Sequence, residues 1–189
     1  MEDFTLPFPD RALADQELSY DPCYKKIQNR DKRRIVDQAW KKGREAARKV
    51  FREQNGSYDF FRIARDSGLK IVEKNIDNVQ GGTRYFSDYL SGRNEIILYL
   101  KSVALWAKQN HLETHQAENL ILSHEYFHFL EMNGLGRTSK DYLVPMIQLG
   151  KLKIGRTGIR ALSEIGAHAF ARTYYEEVRN HDGNQEAGL

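Results

Sequence analysis

Residues Leu120–Met132 read LILSHEYFHFLEM. Eight of these 13 residues are apolar, so a helix buried around much of its circumference is expected here. Polar side chains inside such a helix need partners, because an unpaired buried polar group is costly. His124 and His128 stand four positions apart. Helical residues at i and i+4 share a face one turn apart, so both imidazoles can reach one ion at about 2.0–2.1 Å. Glu125, beside the first histidine, is placed to take a proton next to the metal rather than to bind it.

A catalytic zinc usually has three protein ligands and one open position. The third ligand is sought in the last helical stretch, Ser163–Glu177, SEIGAHAFARTYYEE. Glu164 is a carboxylate among small and apolar neighbours (Leu162, Ile165, Gly166, Ala167, Ala169, Phe170) and is the preferred ligand. His168 is its rival, four residues on and on the same face. With Glu164 as ligand, His168 stands behind a ligating histidine or faces the substrate. Gly166 and Ala167 would let this helix approach another closely. Tyr126, Tyr174, Tyr175 and Arg160 are candidate donors to a developing oxyanion, and the candidate catalytic set is Glu125, His168 and Tyr174.

HEYFH followed 36 residues later by Glu164 resembles the gluzincin metallopeptidases, which pair HExxH with a downstream glutamate. Residues 164–171 fit an ExxAxxFA pattern similar to the glutamate helix of the ImmA/IrrE-like peptidases and related minimal gluzincins. Phe61–Ala64 through Gly68–Ile71 resemble the short helix and first strand before their sheet, so the likeness spans about residues 35–180. It implies zinc held by His124, His128 and Glu164, Glu125 as general base, and an α+β, zincin-like fold. That fold has an N-terminal backing helix, a three-stranded sheet, the HExxH helix and a C-terminal glutamate helix. The chain departs from the pattern in its long basic interval before Glu164, in His168, and in the Arg172-Thr173-Tyr174-Tyr175 continuation.

Upstream, residues 1–22 hold Pro7, Pro9 and Pro22 and read as an extended arm, with a single zincin-like domain over 23–189. From Tyr24 to Gln54, Val36, Ala39, Trp40, Ala47, Val50 and Phe51 recur at helical steps. A short helix follows over Tyr58–Arg65. Leu69–Asn75, Thr83–Tyr89 and Glu95–Lys101 read as strands, the last two as a hairpin and the last as the buried centre. Peptidases of this kind lay substrate along a sheet edge. Thr83–Tyr89 is the expected edge, which makes Thr83, Tyr85 and Ser87 the candidate substrate-binding residues. Helices are expected at Val103–Asn110, Gln116–Met132 and Gly158–Arg179, with an irregular, partly basic stretch around Pro145.

Composition excludes other classes. The 189 residues are 40% hydrophobic and 29% charged, enough for a core. No apolar run reaches membrane-spanning length and no secretory signal is visible, so a soluble cytoplasmic protein acting on a peptide or protein substrate is expected. The single cysteine, Cys23, rules out a disulfide within the chain and the paired-cysteine zinc ribbon of SprT-like proteases. Cys23 could instead hold the zinc latent, though a lone cysteine is more often incidental. His111 and His115 share the i, i+4 spacing but fall at a polar helix junction, where exposure is expected. Residues 24–54 carry 12 Lys/Arg against 4 Asp/Glu. That charge supports an alternative: a non-catalytic zinc-containing module whose basic helix contacts nucleic acid or a regulator protein.

Overall fold

The computed structural model describes residues 6–150 and 152–186. Its elements run α1 (Ala14–Ser19), α2 (Asn29–Glu53), α3 (Phe60–Asp66), β1 (Lys70–Lys74), β2 (Asn78–Gln80), β3 (Thr83–Tyr85), β4 (Ser87–Leu90) and β5 (Glu95–Tyr99). There follow α4 (Leu100–Gln109), α5 (Thr114–Leu130), β6 (Leu143–Leu149), β7 (Leu152–Gly158) and α6 (Arg160–Glu186). The class is α+β, with three small sheets among the described residues. No helix among them is long and apolar enough to cross a membrane.

Ile35, Val36, Ala39, Gly43, Ala46, Ala47 and Val50 recur at steps of one, three and four and are buried, so α2 presents one continuous inner face. That face packs along α6. A Cβ on Gly43 would collide with the Gly166 carbonyl oxygen and lie 2.9 Å from Ala169 Cβ. A Cβ on Gly166 would lie 2.7 Å from Phe127 Cζ of α5. Two glycines therefore let three helices close on one another, which sets how near Glu164 comes to the histidines. Helix α5 is buried almost all round, from Ala117 to Phe129.

The main sheet has the order β1-β5-β4. β5 is the central strand, parallel to β1 and antiparallel to β4. Its run Ile96-Ile97-Leu98-Tyr99 is buried throughout, as expected for a strand covered on both faces. β4 is an edge.

Four expectations are corrected. The arm is not wholly extended: α1 lies within it, and Leu6, Ala14 and Leu18 are buried because the arm supplies apolar cover to the core (residues 1–5 lie outside the description). The expected strand Thr83–Tyr89 is two strands in two sheets. Gly81 and Gly82, at φ 57° and 83°, close a two-residue turn that pairs β3 with β2. Arg84 clamps this hairpin to Asp77 at 2.8 and 3.2 Å, and Phe86 then turns inward against Trp106. The stretch around Pro145 is not irregular but a hairpin, β6 with β7, turning at Gly150 with φ 58°. In a two-stranded ribbon both strands are edges, so proline is tolerated. Finally, α4 starts at Leu100, directly off β5, rather than at Val103.

Candidate metal centre

Helix α5 places His124 and His128 one turn apart, with their Nε2 atoms 3.3 Å from each other. Glu164, on the facing helix α6, brings Oε2 to 3.3 Å from His124 Nε2 and Oε1 to 3.6 Å from His128 Nε2. Ligand atoms held tetrahedrally at zinc-like distances from one centre are about 3.3–3.4 Å apart, so the three atoms have the spacing of a closed coordination face. The half-buried group His124, His128 and Glu164 could hold a metal ion.

Each of the three side chains is held differently. His128 Nδ1 lies 3.2 Å from Glu131 Oε2. Glu131 is buried and is itself held by the Thr138 N–H (2.6 Å) and the Ser163 hydroxyl (3.0 Å), both donating to Oε1. A carboxylate behind a ligating histidine fixes its tautomer and raises its basicity. Burial disfavours charge on the His128 imidazole, but hydrogen bonds to Glu131 and Glu164 outweigh it and raise the group to about 10. Burial likewise works against charge on Glu131, yet the bonds from His128 and Thr138 lower its carboxyl. Glu164 is held well below the usual carboxylate value, the two histidines overcoming its desolvation. His124 Nδ1 is buried without a hydrogen-bond partner; its ring is set by packing, 5.0 Å from the His168 ring and 6.0 Å from that of Phe8.

Glu125 is buried beside these three side chains, and the Ser87 hydroxyl donates to its Oε1 at 2.6 Å. His168 lines the same cavity as Glu125 and Glu164, and burial, then the charge of His124, pushes it down to about 3. The cleft continues past the ligands in two parts. One, of about 360 Å³, is walled by Phe86, Trp106, Ile121 and His168; the other, of about 570 Å³, is polar and carries Arg137, Arg160 and Ser163.

Of the expected substrate residues, Tyr85 and Ser87 line the cleft. Thr83 does not, because the β2–β3 hairpin carries it away. The Tyr99 N–H donates to the Phe86 carbonyl, so Phe86 and Tyr99 form a hydrogen-bonded pair. In the antiparallel alternation Ser87, opposite Leu98, then turns its main-chain groups away from β5 to the free edge.

Tyr174 is corrected as a catalytic candidate. It is fully buried and its hydroxyl donates to the Ser57 carbonyl at 2.6 Å, because its neighbours on α6 face the core. Tyr126 is hydrogen-bonded with Ser67, and Tyr175 accepts from Gln116, so of the four oxyanion candidates Arg160 lines the cleft. Cys23 packs with the α1–α2 cluster and does not line the cleft. His115 is exposed and stacked on Phe61, and His111 is exposed as well. Glu131 escaped the sequence reading. Its only signal is its position three residues after His128, on the face the ligand shares.

The basic charge of α2 is partly spent within the chain: Arg34 pairs with Asp31, Lys42 with Asp141 and Arg48 with Glu177. Comparison with family models, with curated proteins and with solved structures finds no match to this chain.

Proposed function

We propose that this protein is a zinc-dependent peptidase with a zincin-like plan: α2 as backing helix, β1-β5-β4 as sheet, α5 as active-site helix and α6 as glutamate helix. The observation that carries the reading is the tetrahedral spacing of His124 Nε2, His128 Nε2 and the Glu164 carboxylate, with Glu125 beside them in an open cleft. Two imidazoles and one carboxylate are a donor set of catalytic zinc. Zinc bound there would polarise a carbonyl and lower the pKa of a water to about 7.

The chain's own residues supply the rest. Glu125 Oε2 is the proton acceptor, while the Ser87 hydroxyl on Oε1 fixes the carboxylate's orientation. Glu125 then returns the proton to the leaving amine. Glu131 holds His128 as a ligand, and Arg160 faces the cleft where negative charge develops. The outward main-chain groups of Ser87 suit a peptide added as a strand along β4, which gives affinity without demanding a sequence.

The test is a Glu125→Gln variant beside metal analysis. Wild type should carry one zinc per chain. The variant should keep the metal and the fold and lose roughly 10²–10⁴-fold in peptide cleavage, the usual contribution of general acid–base catalysis. Wild type that takes up no zinc from excess, or a variant that cleaves at the wild-type rate, would overturn the reading.

A further inference from the structure

Pro7, Phe8 and Pro9 of the N-terminal arm line the same cavity as His124, Glu125, Glu164 and His168. The Phe8 ring stands edge-on to His168 (centroids 5.6 Å apart), His124 (6.0 Å) and Trp106 (6.3 Å). Arg172 of α6 donates to the Phe8 carbonyl at 3.0 Å, and buried Leu6 anchors the segment on its other side. An aromatic side chain of the chain itself thus stands in the apolar part of the cleft, lining it beside His124 and His168.

We infer that Pro7-Phe8-Pro9 is an intramolecular competitor of substrate: Phe8 sits in the subsite that takes a bulky aromatic side chain of the peptide, and substrate binds when the arm is displaced. This rests on the peptidase reading of the site. The backbone explains why the arm occupies the site without being a substrate. The Phe8 N–H turns back to the Leu6 carbonyl at 2.8 Å, the Phe8 carbonyl is taken by Arg172, and Pro7 and Pro9 have no N–H. Nothing remains on Phe8 to pair with the β4 edge, where a substrate would align. The prolines also stiffen the segment, so little freedom is lost on docking.

The test follows binding and cleavage separately, in zinc-loaded full-length chain. Trp40→Phe leaves Trp106 as the one tryptophan, and its fluorescence reports occupation of the pocket. In a Glu125→Gln background, acetyl-Ala-Phe-Ala-amide is titrated beside acetyl-Ala-Asp-Ala-amide. Phe8→Ala should tighten the phenylalanine peptide by about tenfold or more, since a tethered competitor acts at up to millimolar effective concentration. The aspartate peptide should gain nothing. Arg172→Gln, which keeps the Phe8 side chain and every pocket wall, should shift binding the same way by less.

Unchanged affinity in both variants overturns the proposal, as does equal tightening for the aspartate peptide or no binding of the phenylalanine peptide to Phe8→Ala. Cleavage with Glu125 intact separates the two readings. Tighter binding without cleavage sinks the peptidase and leaves the competitor standing. Equal kcat/KM for wild type and Phe8→Ala sinks the competitor and leaves the peptidase.

Discussion

Glu131 and His168 show how single residues decide what His124 and His128 can do. Glu131 lies one turn beyond the second histidine and pairs with its Nδ1, itself held by Thr138 and Ser163. Glu131→Gln should weaken zinc affinity by about 10–100-fold, the usual cost of losing such a partner, as read by competition with a chromophoric chelator. An unchanged affinity would mean that packing alone orients His128. The two histidines also predict a pH profile for the protein kept in chelator. His168 is lowered from its ordinary value, so the unfolded chain binds a proton the folded chain refuses, and stability falls as pH drops from about 6.5 towards 3. His128 is raised, so its contribution is full below about 6.5 and is lost as pH climbs towards 10. The melting temperature should therefore peak near neutrality. His168→Phe should flatten the acid limb between pH 6.5 and 4.5, above the range in which the depressed Glu131 and Glu164 begin to lose stability. A variant whose acid limb matches wild type would count against the lowered, half-buried imidazole.

Between elements, the crossing of α2 over α6 positions Glu164. Gly43 and Gly166 carry no side chain where the helices touch, and the neighbour at Gly43 is a backbone carbonyl that cannot rotate aside. Gly43→Ala should destabilise by about 1–3 kcal/mol, as overpacking of a well-filled interface does. Glu164 lies two residues from Gly166, so zinc affinity should weaken together with the melting temperature. A Gly43→Ala chain as stable as wild type would show that α6 can slide without penalty.

Across the whole molecule, the three candidate ligands come from two helices far apart in the chain, α5 and α6, so an ion bound there would tie the two together. Ligand binding to the folded state alone stabilises it by about 2.7 kcal/mol at a hundredfold excess over Kd. For a chain of this size that is a rise in melting temperature of roughly 5–10 °C on adding zinc, reversed by chelator. His124→Ala should abolish the rise. A wild-type curve that does not move with zinc would remove the ion from the account. The same architecture brings the arm across the cleft through Leu6, α1 and Arg172.

The local patterns were legible because helices and strands have fixed periods. The i, i+4 spacing put His124 and His128 on one face, the three-four steps of Val36, Ala39, Ala47 and Val50 placed α2, and the apolar run Ile96–Tyr99 marked the central strand. Gly166 and Ala167 already announced a close helix approach, though not that Gly43 would meet it. Pairing of segments was less readable, because it depends on which partner lies nearer in space. Thr83–Tyr85 chose Asn78–Gln80 across a glycine turn, Ser87–Leu90 chose β5, and the ribbon around Pro145 leaves Leu143, Met146, Ile147, Leu152 and Ile154 exposed, so its apolar residues do not mark a core face. Tertiary structure alone decided that Tyr174 is core, that Ser163 anchors Glu131, and that Phe8 rather than Cys23 reaches His124. Those are contacts between distant stretches of chain, set by how buried faces fit together, and no local period encodes them.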